Sequence, residues 1–285
     1  MNGLERKQGS GLHDEVLGLD HLPPLTAAAT RLIEVASDPE LEIKELAEII
    51  EQDPPLTARI LGLANSAFFG QKNPILTVEH AIIRVLGLNM VRSLSLSMAL
   101  AGSFDTSQCD NFKIGDYWLH ALVTSTLAAA VGRQARDPEN RPIDSLYLGG
   151  LLHSIGILVL VHVRPIDMSR VFEEVLNDDQ ADIVDLQRTL LGIDQWQAGE
   201  WLGFRWHLPE VAVRTLAHIT DDTYTGRHSD VVAIVRAASR WAHDQINNVP
   251  TPLVVDGLSP ETASAVETEV RDRLEDLRKV AAAFR

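Results

Sequence analysis

The chain has 285 residues, with 25 Lys+Arg against 40 Asp+Glu for a net charge of −15, and 45% of its residues are hydrophobic. That hydrophobic share supports a buried core and excludes a disordered chain, while the acidic balance and the absence of any basic run exclude a DNA or RNA binder and disfavour anionic bilayers. The single cysteine, Cys109, excludes an internal disulfide or a thiolate metal site and indicates a reducing compartment.

Residues 1–20 read as a flexible segment without the apolar stretch of a secretory signal, so a cytoplasmic location is expected. Helix signals follow. Ser37-Asp38-Pro39-Glu40 offers a capping box to a helix carrying Leu41, Ile43, Leu46, Ile49 and Ile50. Asp53-Pro54-Pro55 starts a second helix with Leu56, Ile60, Leu63 and Ala64 as its stripe. Asn65 to Pro74 reads as a loop whose Phe68 and Phe69 form a lid on this first lobe or a partner-facing surface. Thr77 opens one long buried helix through Ile82, Leu86, Met90, Leu94 and Met98. The alternation in Ser93-Leu94-Ser95-Leu96-Ser97-Met98 suits a strand, but no neighbour could pair with it, so helix is expected there too.

Asp105 to Asp110 is a polar break, and Asp116 begins another helix. Arg133 to Asp144, with Pro138 and Pro142, reads as a loop. From Leu146 to Val163 the chain lacks Asp, Glu, Lys and Arg, which raises the question of a membrane span. His153, Ser154 and His162 within it, and the lack of a second such stretch, favour a helix buried in a soluble protein. Further helices are expected over Ile166 to Leu176, Ile183 to Leu191, Gln195 to Phe204, Pro209 to Ile219 and Val231 to Gln245. A connector follows at Asn247 to Asp256, and Ser259-Pro260-Glu261 starts a last helix. The fold class is all-α, with no strand–helix alternation.

No phosphate loop, dinucleotide fingerprint, His-Glu-x-x-His or Gly-x-Ser-x-Gly is present. The residues left for chemistry are His120, His153 and His218, each on a different helix. Three imidazoles could converge on one metal ion inside a bundle, or each could be a hydrogen-bonded core histidine. Trp196, Trp201, Trp206 and Phe204 concentrate aromatic side chains, as a cleft lining or as a core around His218. The charged last helix could dimerise or fold back on its own domain. Gly149, Gly150 and Gly156 suit close packing of the His153 helix.

A family resemblance then emerges. Val35-Ala36-Ser37-Asp38-Pro39, Ile49-Ile50-Glu51-Gln52-Asp53-Pro54, Leu56-Thr57-Ala58-Arg59-Ile60-Leu61 and Ala64-Asn65-Ser66-Ala67 resemble the opening of the HDOD domain. The likeness continues through Ala81-Ile82-Ile83-Arg84-Val85-Leu86-Gly87, Trp118-Leu119-His120, Leu148-Gly149-Gly150-Leu151-Leu152-His153-Ser154-Ile155-Gly156, Trp206-His207-Leu208-Pro209 and His218. The resemblance covers Leu22 to His218 and implies an all-helical bacterial signalling module, similar in fold to HD-type metal phosphohydrolases but generally without their catalytic set.

Against the active HD pattern, Ser154 stands where the paired aspartate would be, Gln195 where related sequences often carry a histidine, and Ile157 where lysine is usual. A hydroxyl in place of the carboxylate removes the anionic ligand that holds a water-activating cation. The resemblance therefore implies a remnant pocket of His120, His153, Ser154, Gln195 and His218, no catalytic residues and no cofactor. A single divalent ion on His120, His153 and His218 is the alternative. The expected organisation is an N-terminal helical lobe over residues 21–104, an HD-like lobe over 105–220 and a helical extension over 221–285. The expected function is non-enzymatic regulation through signalling proteins, including cyclic-dinucleotide or two-component partners, with no nucleic acid and no membrane span. Residual phosphohydrolase activity and nucleotide sensing are the alternatives.

Overall fold

The computed structural model describes residues 22–71, 73–134, 143–178 and 180–284, and among these every regular element is helical. The expected flexible segment 1–20 and most of the expected loop with Pro138 and Pro142 lie outside the described residues.

The N-terminal part begins with α1 (Ala27–Val35), capped by the Thr26 hydroxyl, and α2 (Ile43–Glu51). The expected capping box at Ser37–Glu40 does not form. Asp38 instead accepts the Glu40 amide at 2.9 Å in a local turn, its carbonyl takes Arg92, and α2 starts later without a side-chain cap. Asp53 does cap α3 (Pro54–Ala64), through the Leu56 amide, with proline in the first turn where no donor is needed.

The expected long helix from Thr77 is two pieces. Thr77 caps α4 (Val78–Ala81), which widens into a π-helical turn over Ile82–Leu86 and ends at Gly87, whose φ of 81° no ordinary helix residue adopts. The chain then resumes as α5 (Leu88–Ala101). The Ser93–Met98 alternation is helical and buried on all sides, so its serines are small residues in tight packing; Ser97 returns its hydroxyl to the Ser93 carbonyl at 2.8 Å.

Helix α6 (Ile114–Arg133) is the central column, buried along nearly its whole length. Against it pack α7 (Ile143–Leu152), α13 (Ser229–Ile246), and the two C-terminal helices α14 (Pro260–Asp272) and α15 (Leu274–Ala282). The expected single last helix is interrupted at Arg273 and folds back on its own chain. Phe284, 1% exposed, meets the buried Trp118 ring edge to face at 5.2 Å. Helix α5, from the N-terminal part, packs on α7.

The apolar run is likewise broken. α7 ends at Leu152, His153–Ile155 form a turn, and α8 (Gly156–Val163) follows. The stretch Ile143–Val163 has the length and mean hydropathy (1.9) of a membrane span, yet 78% of its most apolar 18-residue window is buried inside the protein. Packing around the break is close: a Cβ on Gly156 would overlap the Gln195 carbonyl and the Gly199 backbone, and one on Gly150 the Ser125 backbone. Four helices complete the chain: α9 (Pro165–Asn177), α10 (Ile183–Leu191), α11 (Gln195–Arg205) and α12 (Glu210–His218).

Candidate functional site

His153 occupies the α7–α8 turn and is fully buried. Its Nδ1 lies 2.7 Å from the Gly150 carbonyl, which can only accept, so Nδ1 carries the proton. Its Nε2, 3.1 Å from the Ser239 hydroxyl, then accepts from that group. Both ring nitrogens are thereby used. Burial, reinforced by the neighbouring His120, holds the imidazole neutral, its pKa pushed down to about 3.

His120, on α6, is half-buried, with its ring 5.0 Å from that of His153. Its Nε2 donates to the Ser239 carbonyl at 3.1 Å. Burial lowers its pKa to about 4, opposed by that hydrogen bond and aided by His243, whose exposed ring lies 6.4 Å away. Ser239 therefore serves both rings, one through its carbonyl and the other through its hydroxyl.

The other expected pocket residues are arranged differently. Ser154 is 7% exposed, and its Oγ is buried without a hydrogen-bond partner among the described residues. Gln195 pairs with the buried Gln187, whose amide oxygen takes the Gln195 backbone N–H at 3.0 Å and whose amide nitrogen donates to Gln195 Oε1 at 3.3 Å. The adjacent carboxylate, Asp194, is 1% exposed but fully engaged. One oxygen caps α11 through the Trp196 and Gln197 amides, and the other takes the Arg188 fork at 2.7 and 2.8 Å.

His218 does not join the pair. Its ring stacks on Tyr224 at 3.8 Å, and burial, then Arg214, lowers its pKa. The aromatic group disperses too: Trp196 lies over His153 at 6.5 Å, Trp206 stacks on Phe104 at 5.3 Å, and Phe204 is exposed.

This donor set does not fit a metal centre. A cation needs the unprotonated imidazole nitrogen, and that of His153 is taken by a hydroxyl proton. Among the described residues no three His, Cys, Asp or Glu side chains are grouped to hold an ion. Ser239 and His243 escaped sequence reasoning. Their signal is present but faint, four residues apart on α13, in register with the buried positions Val232, Val235 and Arg236.

Fold and site together define an all-helical module in which two neutral imidazoles share Ser239 as a hydrogen-bond partner. The chain belongs to the HDOD domain family, whose sequence profile matches residues 22–221. Ser239 lies beyond that match.

Among solved structures, an HDOD domain protein of unknown function from Geobacter sulfurreducens aligns over 96% of this chain and 99% of its own, with TM-score 0.72 and 20% identity. A candidate phosphohydrolase from Shewanella amazonensis SB2B aligns over 96% and 100%, with TM-score 0.71 and 21% identity. A candidate signal transduction protein from Marinobacter aquaeolei VT8 aligns over 96% of this chain and 59% of its own, with TM-score 0.70 and 24% identity. At these identities the likeness shows the shared fold. An uncharacterized protein of Treponema pallidum (strain Nichols) is 27% identical over 198 residues, 70% of this chain, and the chain spans 37% of that relative's length.

Proposed function

We propose that this protein is a non-enzymatic bacterial signalling module, cytoplasmic, that acts by binding other proteins. The observation that carries the reading is the state of His153. With Nδ1 donating to Gly150, Nε2 accepting from Ser239, and a serine next in sequence where a hydrolase needs a carboxylate, His153 has no free lone pair and no neighbouring anion with which to hold a water-activating cation. Membership of the HDOD family and the fold shared with a candidate signal transduction protein support the signalling role. Work is done in this reading by helix faces, and the histidine pair serves as a hydrogen-bonded joint between α6, α7 and α13.

The test is turnover. Purified protein with added manganese or magnesium is assayed against bis-p-nitrophenyl phosphate and cyclic dinucleotides, beside His153→Ala. The expected result is no hydrolysis above the metal-only blank and flat nucleotide titrations. Turnover abolished by His153→Ala would establish a phosphohydrolase, and saturable nucleotide binding without turnover a sensor. Capture of partners from the native bacterium then addresses the interaction itself.

A further inference from the structure

A second feature lies apart from the histidines, at the other end of α7. A partly enclosed cavity of about 150 Å³ opens where three parts of the chain meet: Leu63, Phe68 and Leu94 from the N-terminal part, Leu122 and Ala129 from α6, and Leu277 from α15. Ile143, Asp144 and Tyr147 of α7 also line it, and none of its residues belongs to the histidine cluster. From Tyr147 to His153 is roughly 9 Å along the chain at helical rise.

The lining is mostly apolar, and its charged groups are Arg133, Asp144 and Arg273. The Arg273 guanidinium carbon sits 4.2 Å above the Phe68 ring, where the helix break between α14 and α15 places it, and Phe68 and Phe69 meet edge to face at 4.7 Å. Arg273 is half-buried and has no carboxylate within ion-pair distance among the described residues. In a chain of net charge −15, a half-buried guanidinium without a counter-ion at the rim of an apolar hole is an unmet electrostatic demand. Of the other charged groups at the site, Arg133 pairs with Glu269 at 3.0 Å, and Asp144 accepts from the neutral Asn89 amide at 2.6 Å and keeps its negative charge.

We propose that this cavity binds a small organic carboxylate with a flat apolar body, its ring among Leu94, Leu122 and Leu277 and its carboxylate on Arg273. The volume suits one aromatic ring, since dry apolar cavities of about this size accept benzene. The carboxylate supplies the acceptor that a planar guanidinium takes bidentately. Because the walls come from the N-terminal part, α6 and α15 together, occupancy favours the arrangement in which all three are packed. This site does not depend on whether the histidine pair is catalytic, so the two readings fail separately.

The probes are phenylacetate and its neutral isostere phenylacetamide, titrated into the full chain by calorimetry, with thermal unfolding in parallel. Phenylacetate is expected to saturate and raise the melting temperature, with the amide about tenfold weaker or more. Arg273→Gln is expected to bring phenylacetate down to the amide's affinity while leaving the circular dichroism spectrum unchanged. Ala129→Leu, which fills the hole from α6, is expected to abolish both. The proposal is overturned by the absence of saturable phenylacetate binding up to about 10 mM, an affinity too weak for a built site. It is equally overturned if Arg273→Gln binds phenylacetate as well as the parent does, or if the amide binds as tightly as the acid.

Discussion

Ser239 Oγ lies 3.1 Å from His153 Nε2, joining residues 86 positions apart in sequence. The contact ties the turn between α7 and α8 to α13, a helix beyond the segment by which the family is recognised. Ser239→Ala deletes the hydroxyl and strands a buried acceptor, while keeping the carbonyl that serves His120. The expected cost is about 1–3 kcal/mol in urea unfolding. An unchanged midpoint would show that the hydroxyl contributes nothing.

Acid sensitivity follows from the same pair. His153 titrates near 3 in the fold against 6.5 in the open chain, so between those values the unfolded state binds more protons. Its contribution to stability is complete above pH 6.5 and is lost progressively as pH falls toward 3; His120, held near 4, acts in the same direction. From pH 7 to pH 5, His153 alone is expected to remove about 2 kcal/mol. Denaturant unfolding at both pH values should therefore show a steep wild-type loss and a clearly smaller one in His153→Gln.

The start of α8 is packed too closely to hold a side chain. Gly156→Ala drives a methyl group into the Gln195 carbonyl and the Gly199 backbone, neither of which is a flexible tip. A loss of about 4 kcal/mol or more is expected, or failure to accumulate folded protein. Gly62→Ala, with open space around its Cβ position, is the control and should be near neutral or slightly stabilising.

The C-terminal helices belong to the core. Phe284→Ala removes a ring packed edge to face on Trp118 and is expected to cost about 3–5 kcal/mol, with a shift in tryptophan emission as water reaches the indole. A variant as stable as the parent would place these helices outside the cooperative unit.

The helical class and most helix starts were legible because caps and periodicity are local: Asp53, Thr77 and Ser259 each accept the expected first-turn amide. What sequence concealed was where helices break. Gly87 ends one with a positive φ, and Gly156 starts another in close contact with the Gln195 and Gly199 backbone, features that leave no mark in an apolar periodicity. The site was half legible for the same reason. His120 and His153 come together as the family pattern implies, whereas His218 turns to Tyr224, and Ser239 arrives from a helix no motif marks.

The most direct measurement is metal content and affinity at the histidine pair: elemental analysis of protein purified without chelator, followed by zinc and manganese titration of wild type and His153→Ala. A His153 ring with both nitrogens engaged by Gly150 and Ser239, beside a His120 ring held by the Ser239 carbonyl, predicts metal well below one equivalent per chain and titrations that the variant does not change. A full equivalent or more, retained through purification and lost in His153→Ala, would contradict the closed-pair account and return the protein to the metal hydrolases.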